Sequence, residues 1–238
     1  FYLKLSINSD FAFTRYDISY ASYDNVSFSV TAQTDDPAGI FFKPDGTKMY
    51  VTGWNDESVS EYDLSVAWDV SSAVYLQDFS VFAQATSPVD IFFKPDGTKM
   101  YITGYSSDSI HEYDLSVAWD VSSAVFLQTF SYAAQDNTPR STFFKPDGTK
   151  MFMIGTATDS VHEYDLSVAW DISSASLLQN FSIGAQETVP RAVSFKTDGT
   201  KMYMLGSTTD TVYQYSTGSS SNLLITWPTS IIWETGSA

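Results

Sequence analysis

The chain has 238 residues, 43 % of them hydrophobic, with 17 Phe and 15 Tyr, enough to bury a substantial core. Its 12 Lys and Arg stand against 28 Asp and Glu, a formal charge of −16, and a field of that sign repels nucleic-acid backbones and anionic membrane surfaces. No cysteine is present, which excludes disulfides and thiolate metal sites, and no apolar run reaches membrane length, so no helical span is expected.

From the N-terminus, residues 3–6, 16–19 and 26–30 read as strands b, c and d of a blade whose strand a is missing there. The first two align without a gap on residues 49–52 and 62–65, so the chain starts inside a repeat. Phe1 is not a start methionine and no signal peptide is visible. A processed form or a piece of a longer polypeptide is therefore expected. The repeat then declares itself. FFKPDGTKMYVTG begins at Phe41, close copies begin at Phe92 and Phe143, and a looser one begins at Ser194, all spaced by 51. Tyr62, Tyr113, Tyr164 and Tyr215 keep the same spacing, as do Trp68, Trp119 and Trp170. A period of about 50 lies in the range of propeller blades.

Each unit reads as four strands. In the second full unit, residues 91–94 form strand a. Pro95, Asp96 and Gly97 make a turn in which Pro presets φ and Gly accepts a positive φ. Residues 99–103 form strand b, 109–115 strand c and 126–131 strand d. No long helical period interrupts them. At the C-terminus, residues 223–227 read as a shortened strand d, and 228–233 match 37–42 as a strand a. The predicted fold is all-β: a five-bladed β-propeller with four-stranded antiparallel blades, its ring closed by one C-terminal strand plus three N-terminal strands. It is expected to be a single domain over 1–238, with blades at 228–238 plus 1–36, 37–87, 88–138, 139–189 and 190–227. An open solenoid is disfavoured because the two ends complement each other and carry no polar caps.

The pattern F-x-P-D-G-x-x-x-Y-V-T-G followed by S-V-x-x-Y-D-L resembles the YVTN/NHL class of β-propeller repeats. The resemblance covers four units well and the shared one weakly. It implies a propeller. It is compatible with lactonase-like enzymes, surface-layer proteins and binding modules, and it brings no catalytic signature that can be carried over residue by residue.

The chain supplies its own comparison between copies. The a–b turn and the c–d connection, Ser-Val-Ala-Trp-Asp-Val-Ser-Ser-Ala, barely change. Turn chemistry accounts for the first, and a tryptophan wedge between blades for the second; a ring of sugar-stacking sites is the functional alternative. Asp69, Asp120 and Asp171 suit capping of a short turn. The b–c loops and d–a connections diverge, at what propeller topology makes the opposite end, around the channel mouth. Loops drift freely on a tolerant surface. The sharper expectation is one asymmetric binding site, with Trp54 and Tyr105 as stacking platforms, Arg140 and Arg191 as donors to an anion or hydroxyl, and Asp90 as an acceptor.

Reactive groups are sparse. His111 and His162 are the only histidines, one repeat apart, too far from each other for a shared metal. They read as ordinary strand residues. A nucleophilic triad, a phosphate loop and an EF-hand pattern are all missing. Asp35, Asp36, Asp56 and Glu57 cluster in sequence and could serve glycoside hydrolysis or hold a hard cation. Two sequons begin at Asn25 and Asn180. No cofactor and no metal site is expected. The expected role is non-enzymatic recognition or display outside the cell, as an adhesin, a lectin-like module, or a virion or cell-surface component, with a glycan or protein ligand. A lactonase- or glycosidase-type hydrolase and a purely architectural subunit that assembles with other chains are the alternatives.

Overall fold

A computed structural model describes residues 22–218. Each repeat forms one antiparallel sheet. The first holds β1 (Pro37–Phe42), β2 (Lys48–Gly53), β3 (Ser58–Leu64) and β4 (Ala73–Ser80). The second holds β5 (Pro88–Phe93), β6 (Lys99–Gly104), β7 (Ser109–Leu115) and β8 (Ala124–Ser131). The third holds β9 (Pro139–Phe144), β10 (Lys150–Gly155), β11 (Ser160–Leu166) and β12 (Ala175–Ser182). The fourth holds β13 (Pro190–Phe195), β14 (Lys201–Gly206) and β15 (Thr211–Ser216). Strands follow sequence order within every sheet. The first strands β1, β5, β9 and β13 touch one another in succession. They form the inner layer of a β-propeller whose described residues make four blades, not five.

The expected strands at 3–6, 16–19, 223–227 and 228–233 lie outside the described residues. The expected strand at 26–30 is not a strand: the neighbour it was predicted to pair with, 16–19, is outside them too. The segment nevertheless packs as a strand d would. Phe28 meets Tyr62 edge-on at 5.5 Å, as Phe79 meets Tyr113 at 5.6 Å and Phe130 meets Tyr164 at 5.3 Å. Tyr62 Oη donates to Gln33 Oε1 at 3.3 Å, as Tyr113 does to Gln84 at 3.2 Å and Tyr164 to Gln135 at 3.3 Å.

Burial follows position in the blade. β2 and β6 are buried at every residue after the first: the second blade lies between the first and the third, and Phe28 and Val30 pack with Met49 and Val51 of β2. The outer strands β4 and β8 are mostly exposed. Asp45, Asp96 and Asp147 organise the a–b turns: each accepts from the backbone N–H and hydroxyl of the threonine two residues on, at 3.0 and 2.7 Å. Those bonds and the Lys94 ammonium overcome burial to hold Asp96 down at about 2.

Two devices join the blades. The first is the tryptophan wedge. Trp119 is buried, lies over Gly97 of its own blade, and stacks on Phe41 of the blade before at 6.4 Å and 21°. Tyr50 Oη of that earlier blade donates to the Trp119 carbonyl at 2.7 Å. Trp170 repeats this on Gly148, Phe92 and Tyr101. Gly97 has φ +75°, and a Cβ there would stand 2.3 Å from the indole, so the turn and the wedge both demand glycine. The second device is a buried glutamate. Glu61 is fully buried; its Oε1 takes Lys48 at 2.5 Å, while its Oε2 takes Gln77 Nε2 at 2.9 Å and the Val121 N–H of the next blade at 3.1 Å. Gln77 also donates to Asp120 Oδ1 at 2.8 Å, and Asp120 caps the short helical turn after Trp119. Glu112 repeats this with Lys99, Gln128 and the Ile172 N–H, and Gln128 donates to Asp171. The aspartate caps were legible in the sequence; the glutamate was not.

Candidate ligand site at the variable end of the blades

β1 begins where β2 ends: Pro37 pairs with Gly53, and the Trp54 N–H donates to the Asp36 carbonyl at 2.9 Å. The b–c loops and d–a connections therefore share one end of every blade, as the topology predicts. The anchors of these loops differ between copies. Asp136 is buried and accepts from Thr138, Ala157 and Thr158, backbone and hydroxyl together. Glu187 takes its place in the next blade and accepts from Val189, Thr208 and Thr209. Burial raises the Glu187 pKa, but these donors outweigh it and hold the carboxyl near 2. Ala85 and Thr34 occupy the position in the other two blades, so no carboxylate stands at that position there. Asp136 and Glu187 were missed in the sequence, although their divergence within a constant repeat was the available signal.

All five expected site residues lie at this end, on the b–c loops or at the starts of β5, β9 and β13. The rings of Trp54 and Tyr105 lie 4.9 Å apart at 45°. The Arg140 guanidinium, from β9, lies 4.5 Å from the Tyr105 ring centre and 5.7 Å from that of Trp54. Three blades thus meet in one cation–π stack. The two aromatics contact each other and the arginine, and are not separate open platforms. Arg191 stands one repeat further on and donates from Nε to Ser207 Oγ at 3.0 Å. Burial, then the nearby Arg191 charge, lower the Arg140 pKa. Arg140 Nε is buried and has no hydrogen-bond partner among the described residues. Seven of the eight described lysines are in ion pairs and Lys201 donates to Ser216, yet neither arginine has a carboxylate within ion-pair distance among the described residues.

Asp90 is placed differently. Its Oδ1 accepts from the Ile91 N–H at 2.9 Å and its Oδ2 from the Thr142 N–H of the third blade at 2.9 Å. The carboxylate clamps β5 to β9, so its acceptor capacity is largely spent inside the protein. Burial raises its pKa to about 6 against the lowering effect of Thr142, Ser141 and Ile91.

The histidines belong to the framework. His111 bonds Ser107 Oγ at 2.8 Å and Thr129 Oγ1 at 2.9 Å, and burial lowers its pKa to about 4. His162 bonds Thr158 Oγ1 and Asn180 Oδ1. Among the described residues no group of three His, Asp or Glu side chains is arranged to hold a metal, the Asp35–Asp36–Asp56–Glu57 cluster included. No helix there is long and apolar enough to cross a membrane.

No family model matches the chain, and no curated protein matches it. Solved structures do. Hydrazine synthase from Kuenenia stuttgartiensis aligns over 82 % of this chain and 49 % of its own, at 16 % identity and a TM-score of 0.54. The periplasmic gluconolactonase PpgL of Pseudomonas aeruginosa aligns over 76 % and 49 %, at 15 % identity and a TM-score of 0.53. The β-propeller domain of Cps50 (Swd1) from Myceliophteria thermophila aligns over 76 % and 54 %, at 10 % identity and a TM-score of 0.52. The chain therefore spans about half the length of the structures it resembles. At such identities the likeness carries the propeller fold and nothing of activity.

Proposed function

We propose that this chain is a recognition module that captures an anionic ligand, foremost a carbohydrate bearing a carboxylate, phosphate or sulfate, at the variable end of its blades. The observation that carries the reading is the pair Arg140 and Arg191, neither in an ion pair among the described residues, in a chain of net charge −16. Such a chain has abundant carboxylates with which to neutralise an arginine. Two left facing the same end, beside the half-buried rings of Trp54 and Tyr105, suit a ligand that brings charge and a flat apolar face together. Asp90 serves this site as a positioning residue that holds β9, and with it Arg140. The setting we propose is outside the cell, on a surface or a particle.

The same reading includes a closed ring of five blades, built as one domain over 1–238 with one blade shared by the two ends. Two observations support it: residues 28 and 33 occupy the place of a preceding strand d, and Trp68 is 59 % exposed where Trp119 and Trp170 are 8 % and 7 %. A further blade before β1 would cover Trp68.

The test is a glycan array comparing acidic glycans with their neutral counterparts, with calcium and with chelator. Binding confined to acidic glycans and lost in Arg140→Ala with Arg191→Ala supports the reading; binding of neither class overturns it. The second reading is a lactone hydrolase. It draws on the gluconolactonase among the structural neighbours and on Asp90, whose pKa near 6 suits a general base. Release of acid from glucono-lactone, followed at constant pH and abolished in Asp90→Asn, would favour it; hydrolysis that is absent or unchanged in the variant would remove it.

A further inference from the structure

A cavity of about 650 Å³ lies between the third and fourth blades, at the opposite end of the strands from the arginine pair. Its floor is Gly199, its walls are Phe143, Phe152 and Phe195, and Glu163 and Gln179 stand at its edge. Each of these residues has a counterpart in the two junctions before it, and there the same space is filled by Trp119 or Trp170.

The sequence explains the difference. After β15 the chain aligns residues 222–227 on 176–181, five residues short. Ten positions separate Leu166 from Ser176, and five separate Thr217 from Asn222. The residues lost are those of the wedge, with its Trp and Asp. Trp227 aligns on Phe181 and Trp233 on Phe42, so neither falls on the wedge position of the repeat. The socket has kept its features nonetheless. Gly199 has φ +70° like Gly97 and Gly148, but among the described residues nothing lies within 4 Å of where its Cβ would stand. Phe143 and Phe195 stand 5.1 Å apart, as Phe92 and Phe144 do at 5.3 Å around Trp170. Glu163 Oε1 holds Lys150 at 2.6 Å and Oε2 holds Gln179 at 2.6 Å. In the earlier junctions that Oε2 also takes a backbone N–H just after the wedge, and the glutamine donates to the wedge aspartate. Glu163 is 17 % exposed where Glu61 and Glu112 are fully buried. Two features have changed: Thr197 stands where Pro95 and Pro146 open the turn, and Phe152 stands where Tyr50 and Tyr101 supply a hydroxyl to the wedge carbonyl.

We propose that this junction is a binding site for a peptide segment of another polypeptide, carrying an aromatic residue, foremost tryptophan, followed directly by an acidic one. The indole lies on Gly199 between Phe143 and Phe195. The acidic side chain accepts from Gln179, and the next backbone N–H donates to Glu163. The occupant is thus specified by the two sister junctions of the same molecule. The inference does not depend on the arginine site, since it uses other residues at the other end of the blades.

The experiment titrates the whole chain into a fluorescein-labelled, end-capped peptide Ser-Val-Ala-Trp-Asp-Ile-Ser-Ser, the sequence of residues 167–174, and reads polarisation. Saturable binding is expected. It should weaken by at least about tenfold when alanine replaces the peptide tryptophan, as truncation of a buried aromatic anchor does. Gly199→Asn should abolish it, because asparagine tolerates a positive φ while its side chain takes the space of the indole. Inserting Val-Ala-Trp-Asp-Ile after Gly218 should also abolish it and raise the melting temperature, by filling the socket from within. No saturable binding to the folded wild-type chain would overturn the proposal. So would equal binding of the alanine peptide, or binding indifferent to Gly199→Asn in a variant that melts like wild type.

Discussion

The two ends of each blade are written by one repeat and obey different rules. At the end of the a–b turns and c–d connections, Gly97 and Gly148, Trp119 and Trp170, Glu61 and Glu112 recur in the same roles with bond lengths that agree within a few tenths of an ångström. The tryptophans and glutamates touch the neighbouring blade and the glycines make room for the indoles, so a change in one copy must be answered in another. At the other end, position 136 and its equivalents hold Thr, Ala, Asp and Glu, and position 54 and its equivalents hold Trp, Tyr, Thr and Ser. Here loop anchors such as Asp136, which takes the Ala157 and Thr158 N–H groups, stay within one blade, and the contacts that cross blades, Trp54 with Tyr105 and Asp90 with Thr142, are made by residues that differ in the other copies. Each copy is free to diverge. Constancy marks the contacts that each junction repeats, and divergence marks the place where a single site can be made.

The largest effect should come from the constant end. Glu112→Ala leaves Lys99 and the Ile172 N–H without their buried partner and should cost about 3–5 kcal/mol, read as a fall in the denaturant midpoint. A midpoint close to wild type would deny the glutamate its role between blades. Trp119→Ala should cost about as much, ~3–5 kcal/mol, from the loss of a buried aromatic. Trp68→Ala sharpens this. If the ring closes as we propose, the two substitutions cost nearly the same. If Trp68→Ala costs under about 1 kcal/mol, as exposed positions do, no blade covers it.

A smaller effect is expected in the pH dependence. The folded pKa of Asp90 is raised to about 6 from the ordinary carboxyl value of 3.8, so between these values the folded state binds more protons than the unfolded one. Its contribution is therefore most favourable below about pH 4 and is lost as pH rises through 6. His111 acts in the opposite sense: its folded pKa is lowered from 6.5 to about 4, so stability is lost as pH falls through that window. Comparing Asp90→Asn with wild type isolates the first effect. The variant should gain stability relative to wild type as pH rises from 4 to 7, and parallel melting curves across that range would contradict the assignment. The smallest effect on stability belongs to Arg191→Ala, an exposed residue with one side-chain bond, at under about 0.5 kcal/mol.

Much of the fold was legible because the repeat states it several times. The strand order, the a–b turn, the wedge and the caps at Asp69, Asp120 and Asp171 all lie within local sequence patterns. The glutamate link was not, since Glu61 draws on Lys48, Gln77 and Val121, partners 13, 16 and 60 residues away. The site was legible as a set of diverging positions. Its internal arrangement was not: spacing could not tell that Trp54 and Tyr105 lean on each other, that Arg140 covers them, or that Asp90 is engaged by the Thr142 N–H. Such contacts cross blades, and the sequence pattern of one blade does not record them.

The most direct measurement of the central claim is binding of acidic and matched neutral glycans to three proteins: wild type, the Arg140→Ala/Arg191→Ala variant, and Trp119→Phe as a control at the constant end. Wild type and the control should both bind acidic glycans, more weakly as salt is raised, and the arginine variant should bind neither class. Equal binding by all three, or a preference of wild type for neutral glycans, would contradict the account.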